Sequence, residues 1–222
     1  APLAPLFAAH ELAVVHACGS HDGTRSHFDA QDYMESGTPG IKSTRDGWLN
    51  RYLHAKAHEA DTPFRAVALA SQLPRSLQGG APALAIGQLS QFGVRAGSAT
   101  DMMSASFESQ YAAAADAALQ PTAREAFGAV RMMRSADLSR YSPAHGAEYP
   151  QTGFGEAMKQ VAQLIKANLG LEVAFTELGQ WDHHANEGGA NGQLAGRLDD
   201  LARGLAAFHR DLGDRMADVI VI

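Results

Sequence analysis

The sequence predicts an α/β domain built on a mostly parallel sheet with helices on both of its faces. Three observations carry this prediction. Short apolar, β-branched runs recur at 12–18, 64–69, 84–86, 171–178 and 218–222. Amphipathic helical patterns lie between them. One junction, a helix over 155–169 followed by Gly170 and then a strand, is the helix-to-strand joint of a doubly wound sheet.

The elements follow in order. Pro2 to Glu11 reads as a short amphipathic helix, and Leu12 to Cys18 as a buried strand ending at Gly19-Ser20. The stretch from Ser20 to Arg45 is polar and Gly-punctuated. A helix from about His27 to Glu35 lies within it and stops at Ser36-Gly37-Thr38-Pro39. Another helix starts at Asp46, a candidate cap. Phe64 to Leu69 and Leu84 to Ile86 are the next strands. Ala-rich helices are expected over Asp101 to Leu119 and Thr122 to Leu138, as a helical excursion at 101–140 on a single domain spanning 1–222. In the helix over 155–169, Met158, Val161, Leu164, Ile165 and Leu169 share one face. Leu171 to Leu178 is a strand. Gln193 to Leu212 is a helix with Leu194, Leu198, Leu201, Leu205, Phe208 and Leu212 on its apolar stripe. Asp218 to Ile222 begins a last strand.

Composition narrows the function classes. The chain has 222 residues, 45% hydrophobic and 19% charged, so it can bury a core. A net charge of −6 with scattered basic residues argues against a nucleic-acid surface. No run reaches the roughly 18 apolar residues of a membrane span. The single cysteine, Cys18, cannot form an internal disulfide and reads as a small core residue. The chain begins with Ala, which suggests a processed product or a fragment.

Ligand sites in open α/β sheets gather at the carboxyl ends of strands, and two loops of that kind have unusual content. Gly179 to Gly189 follows the strand ending at Leu178 and contains Trp181-Asp182-His183-His184. Asp182 and His184, two apart in an extended loop, can point the same way, with His183 turned elsewhere. Carboxylate and imidazole together suit Zn²⁺ or a similar divalent cation. The plainer reading is that Asp182 and Asn186 cap a helix and the histidines are solvated. The second loop, Gly19 to Ala30, offers Thr24, Arg25, Ser26, His21 and His27. Ser26 or Thr24 at a helix start would sit among free backbone N–H groups, a place that favours phosphate or sulfate. A nearby metal would make such a hydroxyl a nucleophile. Ser26 is equally a good helix cap. His54 and His58 are spaced i,i+4 but lack the Glu of a zincin motif. Met102-Met103 and Met132-Met133 read as core filler, and His209-Arg210 as dipole-compatible residues late in a helix. No P-loop, dinucleotide fingerprint or nucleophile elbow is present.

The segments Glu11 to Ala17, Thr24 to Gly37 (Thr-Arg-Ser-His-Phe-Asp-Ala at its start), Gly47-Trp48-Leu49-Asn50-Arg51 and Leu178 to His184 resemble the bacterial family called domain of unknown function 1501, end to end. That family resembles the alkaline phosphatase and sulfatase superfamily. The resemblance implies a three-layer αβα, alkaline-phosphatase-like fold, export by the twin-arginine route to the periplasm, and a divalent metal at the strand ends. The metal would be zinc first, with calcium, magnesium or manganese as alternatives. It further implies Asp182 and His184 as metal ligands, Thr24 or Ser26 near the nucleophile position, and Arg25 and His27 as contacts to a small anionic phosphate or sulfate ester. The family also carries an earlier Gly-Gly-x-Asp strand end and later Ser-Glu-Phe-Gly-Arg and Asp-His-Gly segments with further ligands. This chain is expected to be a fragment holding part of that site. The alternative class is a non-catalytic exported binding or scaffold protein that keeps the fold.

Overall fold

A computed structural model of the chain describes residues 1–56, 62–92, 105, 109, 119–136 and 138–222. Nearly all of the expected helix over 101–119, together with His58 and Met102-Met103, lies outside these residues. The helices are α1 (Ala4–Ala8), α2 (His27–Ser36), α3 (Trp48–Ala55), α4 (Leu119–Ser135), α5 (Gly153–Lys166) and α6 (Gln193–Leu212). The strands are β1 (Ala66–Ala68), β2 (Leu84–Ala85) and β3 (Val173–Phe175), in the spatial order β2-β1-β3. Both pairings are parallel, with Val67 opposite Leu84 and Ala174. The α/β class expected from the sequence is therefore observed, on a sheet of short strands.

Central strand β1 explains how the layers form. Its three residues are all buried. Val67 belongs to a large core with Phe64, Leu164 and Phe208, while Ala66 and Ala68 belong to a smaller one with Leu53 and Leu77. Successive side chains of a strand face opposite sides, so one strand feeds both cores. Helix α5 covers the larger core with Phe154, Ala157, Met158, Val161 and Leu164. Burying a Phe, Met, Val or Leu side chain of this kind contributes about 1.5–3 kcal/mol. The predicted stripe of α6 is buried in its second half, at Phe208 and Leu212, whereas Leu198 stays exposed. Met133 is core, as expected.

Two expected strands are not formed. Residues 12–18 and 219–222 have no regular structure. Val15 is 72% exposed and Ile220 88% exposed. A parallel strand is buried only where a neighbour takes its backbone N–H and C=O groups. Among the described residues the sheet stops at β2 and β3, so neither segment finds such a partner and both stay hydrated. Cys18, expected in the core, is exposed for the same reason.

Gly37 ends α2, within the stop expected there, in the left-handed conformation (φ 63°). Gly47, not Asp46, is the N-cap of α3. A Cβ on residue 47 would lie 2.1 Å from the Arg75 carbonyl oxygen, so the close backbone approach excludes every other residue type. Asp46 instead accepts from Arg51 Nη1 at 3.0 Å. Helix α5 stops at Lys166, three residues earlier than expected, and Asn168 (φ 53°) turns the chain ahead of Gly170. No helix among the described residues is long and apolar enough to cross a membrane.

Candidate metal centre

The loop from Gly19, which follows an irregular segment and not the expected strand, is ordered by its own side chains. Asp22 N–H donates to Ser20 Oγ (3.2 Å), Thr24 N–H to Asp22 Oδ1 (2.9 Å) and Ser26 N–H to Thr24 Oγ1 (3.1 Å). Asp29 N–H then donates to Ser26 Oγ (3.3 Å), which makes Ser26 the N-cap of α2. Short polar side chains take backbone N–H groups in this way wherever no strand or helix partner is available. The ladder carries residues 20–26 straight into α2, with His27 at its first position. Ser26→Ala should therefore lower stability by about 1 kcal/mol and Ser26→Gly by only a few tenths. Urea unfolding of the two variants distinguishes a cap, which predicts that order, from a residue without a capping role.

Helix α2 is anchored from below. Ser76 N–H donates to Glu35 Oε2 (3.0 Å), Arg51 Nη2 to the Ser36 carbonyl (2.6 Å), and Arg75 Nε lies 3.0 Å from Asp32. Tyr33 is buried. These ties fix the axis of α2 and with it the position of His27.

The second loop leaves β3 and turns at Gln180, a non-glycine residue in the left-handed region (φ 66°). Trp181 Nε1 donates back to the Leu178 carbonyl. Asn186 (φ 58°) and Gly188 (φ 76°) make the return turns. Between them, Asp182 and His184 project toward His27. The Nε2 atom of His184 lies 3.0 Å from each carboxylate oxygen of Asp182. His27 Nε2 lies 3.7 Å from Asp182 Oδ2. The two imidazole rings stand nearly perpendicular, 85° apart with centroids at 6.2 Å. Among the described residues this is the group of His, Cys, Asp or Glu whose donor atoms all lie within 4.8 Å of one another, and all three side chains are exposed.

Two imidazoles and one carboxylate are a donor set for a divalent transition metal. Ligand atoms 2.0–2.1 Å from a tetrahedral zinc sit about 3.3 Å from each other. The observed separations of 3.0 and 3.7 Å bracket that value. Three protein ligands also leave a coordination position open, as catalytic sites do. The residues fit the metal.

The structure thus brings together Asp182 and His184, the pair read from the sequence, and adds His27, which was read as a substrate contact. His183 is outside the group. Thr24, Arg25 and Ser26 lie on the adjoining loop, and no hydrogen bond joins them to the three. Arg25 is exposed and has no partner among the described residues. His21 and His54 are exposed and stand apart. His27 escaped as a ligand because sequence spacing cannot show that position N1 of α2 faces a loop more than 150 residues away. Its place in Gly19 to Ala30, the other loop of unusual content, was the available signal.

The family described as Protein of unknown function (DUF1501) matches residues 11–222. No curated protein matches the chain, and no solved structure does.

Proposed function

The chain belongs to the DUF1501 family, and from that premise we propose that it is an exported, metal-dependent hydrolase-like protein acting on phosphate or sulfate esters. The observation that carries the reading is the convergence of His27, at the start of α2, with Asp182 and His184, on the loop leaving β3. The alternation of β1 between two cores supports a three-layer αβα, alkaline-phosphatase-like arrangement around it. Export to the periplasm by the twin-arginine route belongs to the same reading.

His27, Asp182 and His184 would hold the metal, with zinc first among the candidates. Such an ion supplies Lewis acidity toward an ester oxygen and lowers the pKa of a bound hydroxyl or water. The other groups are the protein's own. Arg25 offers an uncompensated guanidinium, which pairs with phosphate or sulfate in a bidentate fork. Thr24 and Ser26 each accept a backbone N–H, so the hydroxyl oxygen is held in place while its O–H remains free to donate. Either one is the nucleophile candidate.

Two observations favour a second reading, a non-catalytic exported binding or scaffold protein. Ser26 is fully accounted for as a helix cap. All three metal-site side chains are exposed, where water competes with every interaction.

Elemental analysis of the zinc-loaded protein against His27→Ala, Asp182→Ala and His184→Ala tests the centre. Each variant should bind at least about 100-fold more weakly, beyond the 10–100-fold typical of a lost supporting contact. Wild-type metal retention in all three would remove the centre. Chromogenic phosphate and sulfate esters then separate the two readings. Turnover lost in Thr24→Ala or Ser26→Ala identifies the nucleophile, while absence of turnover in the metal-loaded wild type favours the scaffold.

A further inference from the structure

A cleft of about 360 Å³ shares helix α2 with the candidate metal centre. Its walls come from three places. Ala70 to Arg75 follow β1, Phe175 and Glu177 stand at the end of β3, and Gln31 and Glu35 project from α2. The carboxyl ends of two adjacent parallel strands therefore open into it, the crevice where open α/β sheets take their ligands. Its volume falls within the roughly 300–1,000 Å³ of ligand pockets.

We propose that this cleft binds a neutral, hydroxyl-rich group, a sugar ring or similar polyol. The chemistry of the walls selects that class. Arg75 is the one cation among the lining residues, and it is already engaged: Nε is ion-paired with Asp32 at 3.0 Å without hydrogen-bond alignment, Nη1 donates to the Arg45 carbonyl and Nη2 to the Thr44 carbonyl. No free cation is left for an anion, and Glu35 and Glu177 repel one. A cationic ligand would need converging carboxylates. Glu35 is taken, however, with Oε1 accepting from Gln31 (2.8 Å) and Oε2 from Ser76 N–H (3.0 Å). Ser71, Gln72 and Glu177 remain as exposed polar groups without a partner among the described residues. A hydroxyl, an amide and a carboxylate together both donate and accept, which vicinal hydroxyls require. Phe175 supplies an apolar flank for the C–H face of a ring.

The cleft and the metal centre draw on the same two chain segments. His27, Gln31 and Glu35 are spaced i, i+4, i+8, so they form one stripe along α2, with about 6 Å of rise between neighbours. On the other wall, Glu177 precedes Asp182 by five residues on the segment leaving β3. A sugar in the cleft would thus be the alcohol portion of an ester presented to the metal centre. That assignment rests on the function proposed above, whereas the cleft's preference for polyols does not.

Saturation-transfer NMR on EDTA-treated protein keeps the two apart. The probes are the methyl glycosides of glucose, galactose and mannose, with choline and putrescine as cations and inorganic phosphate as anion. At least one glycoside should receive saturation. Gln72→Ala and Glu177→Gln, each removing one wall group, should weaken it about 5-fold, the effect of one hydrogen bond. Ser71→Trp, which fills the cleft from an exposed position, should abolish it while leaving zinc content at the wild-type level. No transfer to any glycoside, transfer only to choline, putrescine or phosphate, or transfer that survives Ser71→Trp would overturn the proposal. Loss of zinc binding in the wild type with glycoside transfer intact would sink the proposed metal centre and leave the cleft standing.

Discussion

Asp211→Ala is expected to lower the melting temperature by about 10 °C, corresponding to about 3–5 kcal/mol for an unpaired buried group in a chain of this size. Asp211 is 1% exposed in the last turn of α6. Four donors converge on it: Tyr141 OH, Tyr149 OH at 2.9 Å, Ala144 N–H at 2.6 Å and Lys166 Nζ. The carboxylate thereby ties the ends of α5 and α6 to the segment 141–149. Removing it strands two tyrosine hydroxyls and a backbone N–H at a site with little water. Asp211→Asn keeps one acceptor and should cost less than Ala. Differential scanning calorimetry measures both, and a drop of less than about 3 °C for the alanine variant, under 1 kcal/mol, would show the knot to be dispensable.

The same knot makes the stability of the fold depend on pH. Burial alone would raise the Asp211 carboxyl, but the donors from Lys166, Tyr141, Ala144 and Tyr149 outweigh it and hold the group below the ordinary carboxylate value. A depressed carboxyl contributes stability that is fully present above the unfolded value, about 3.9, and lost as pH falls through the folded one. Burial first, and then Asp211, push the Tyr141 hydroxyl above the ordinary tyrosine value. Burial first, then Tyr141 and Asp211, do the same for Tyr149. A raised hydroxyl favours the folded state up to about pH 10 and loses that contribution above it, because the unfolded chain ionises first. Tyr149→Phe should therefore flatten the alkaline limb of stability against pH and shrink the acid limb only in part, because Lys166, Tyr141 and Ala144 still hold the Asp211 carboxyl down.

Asn50→Ala is expected to cost about 4 kcal/mol, from three buried backbone groups left unpaired at roughly 1–3 kcal/mol each, partly relieved by relaxation. Asn50 is buried on α3. Its Nδ2 donates to the carbonyls of Leu77 (2.9 Å) and Ala81 (2.8 Å), and its Oδ1 accepts from Ala81 N–H (3.0 Å). The amide acts as a substitute strand partner for the segment 77–81. Asn50→Asp should be no milder than Ala, since a carboxylate would face two carbonyls without a donor. Urea unfolding gives the test, and Asp retaining wild-type stability would contradict this account. The segment continues from Ser76, whose N–H holds Glu35. Losing Asn50 should accordingly loosen α2 and the His27 position with it.

The amphipathic helices were legible from residue order. The Met158–Leu164 face of α5, the Phe208–Leu212 end of α6 and the Gly37 stop of α2 follow from the 3.6-residue period and from what glycine alone adopts. So does the α/β class, because apolar runs too short for helices alternate with them. The tie between Asp182 and His184 was also legible, since two residues in one extended loop share a side. Strand status was not. Val14-Val15 and Ile220-Val221 are as apolar and β-branched as Ala66-Val67, yet only the latter has neighbours on both edges to take its backbone hydrogen bonds. Periodicity records what a side chain prefers, and pairing is settled by what lies alongside. The third member of the metal centre, the Asp211 knot and the Asn50 brace have the same character. Each joins segments 27 to 155 residues apart in the chain, from Asn50 and Leu77 to His27 and Asp182. Only the packing of α3, α5 and α6 around β1, and of α2 on residues 75–77, sets the distance that makes these contacts.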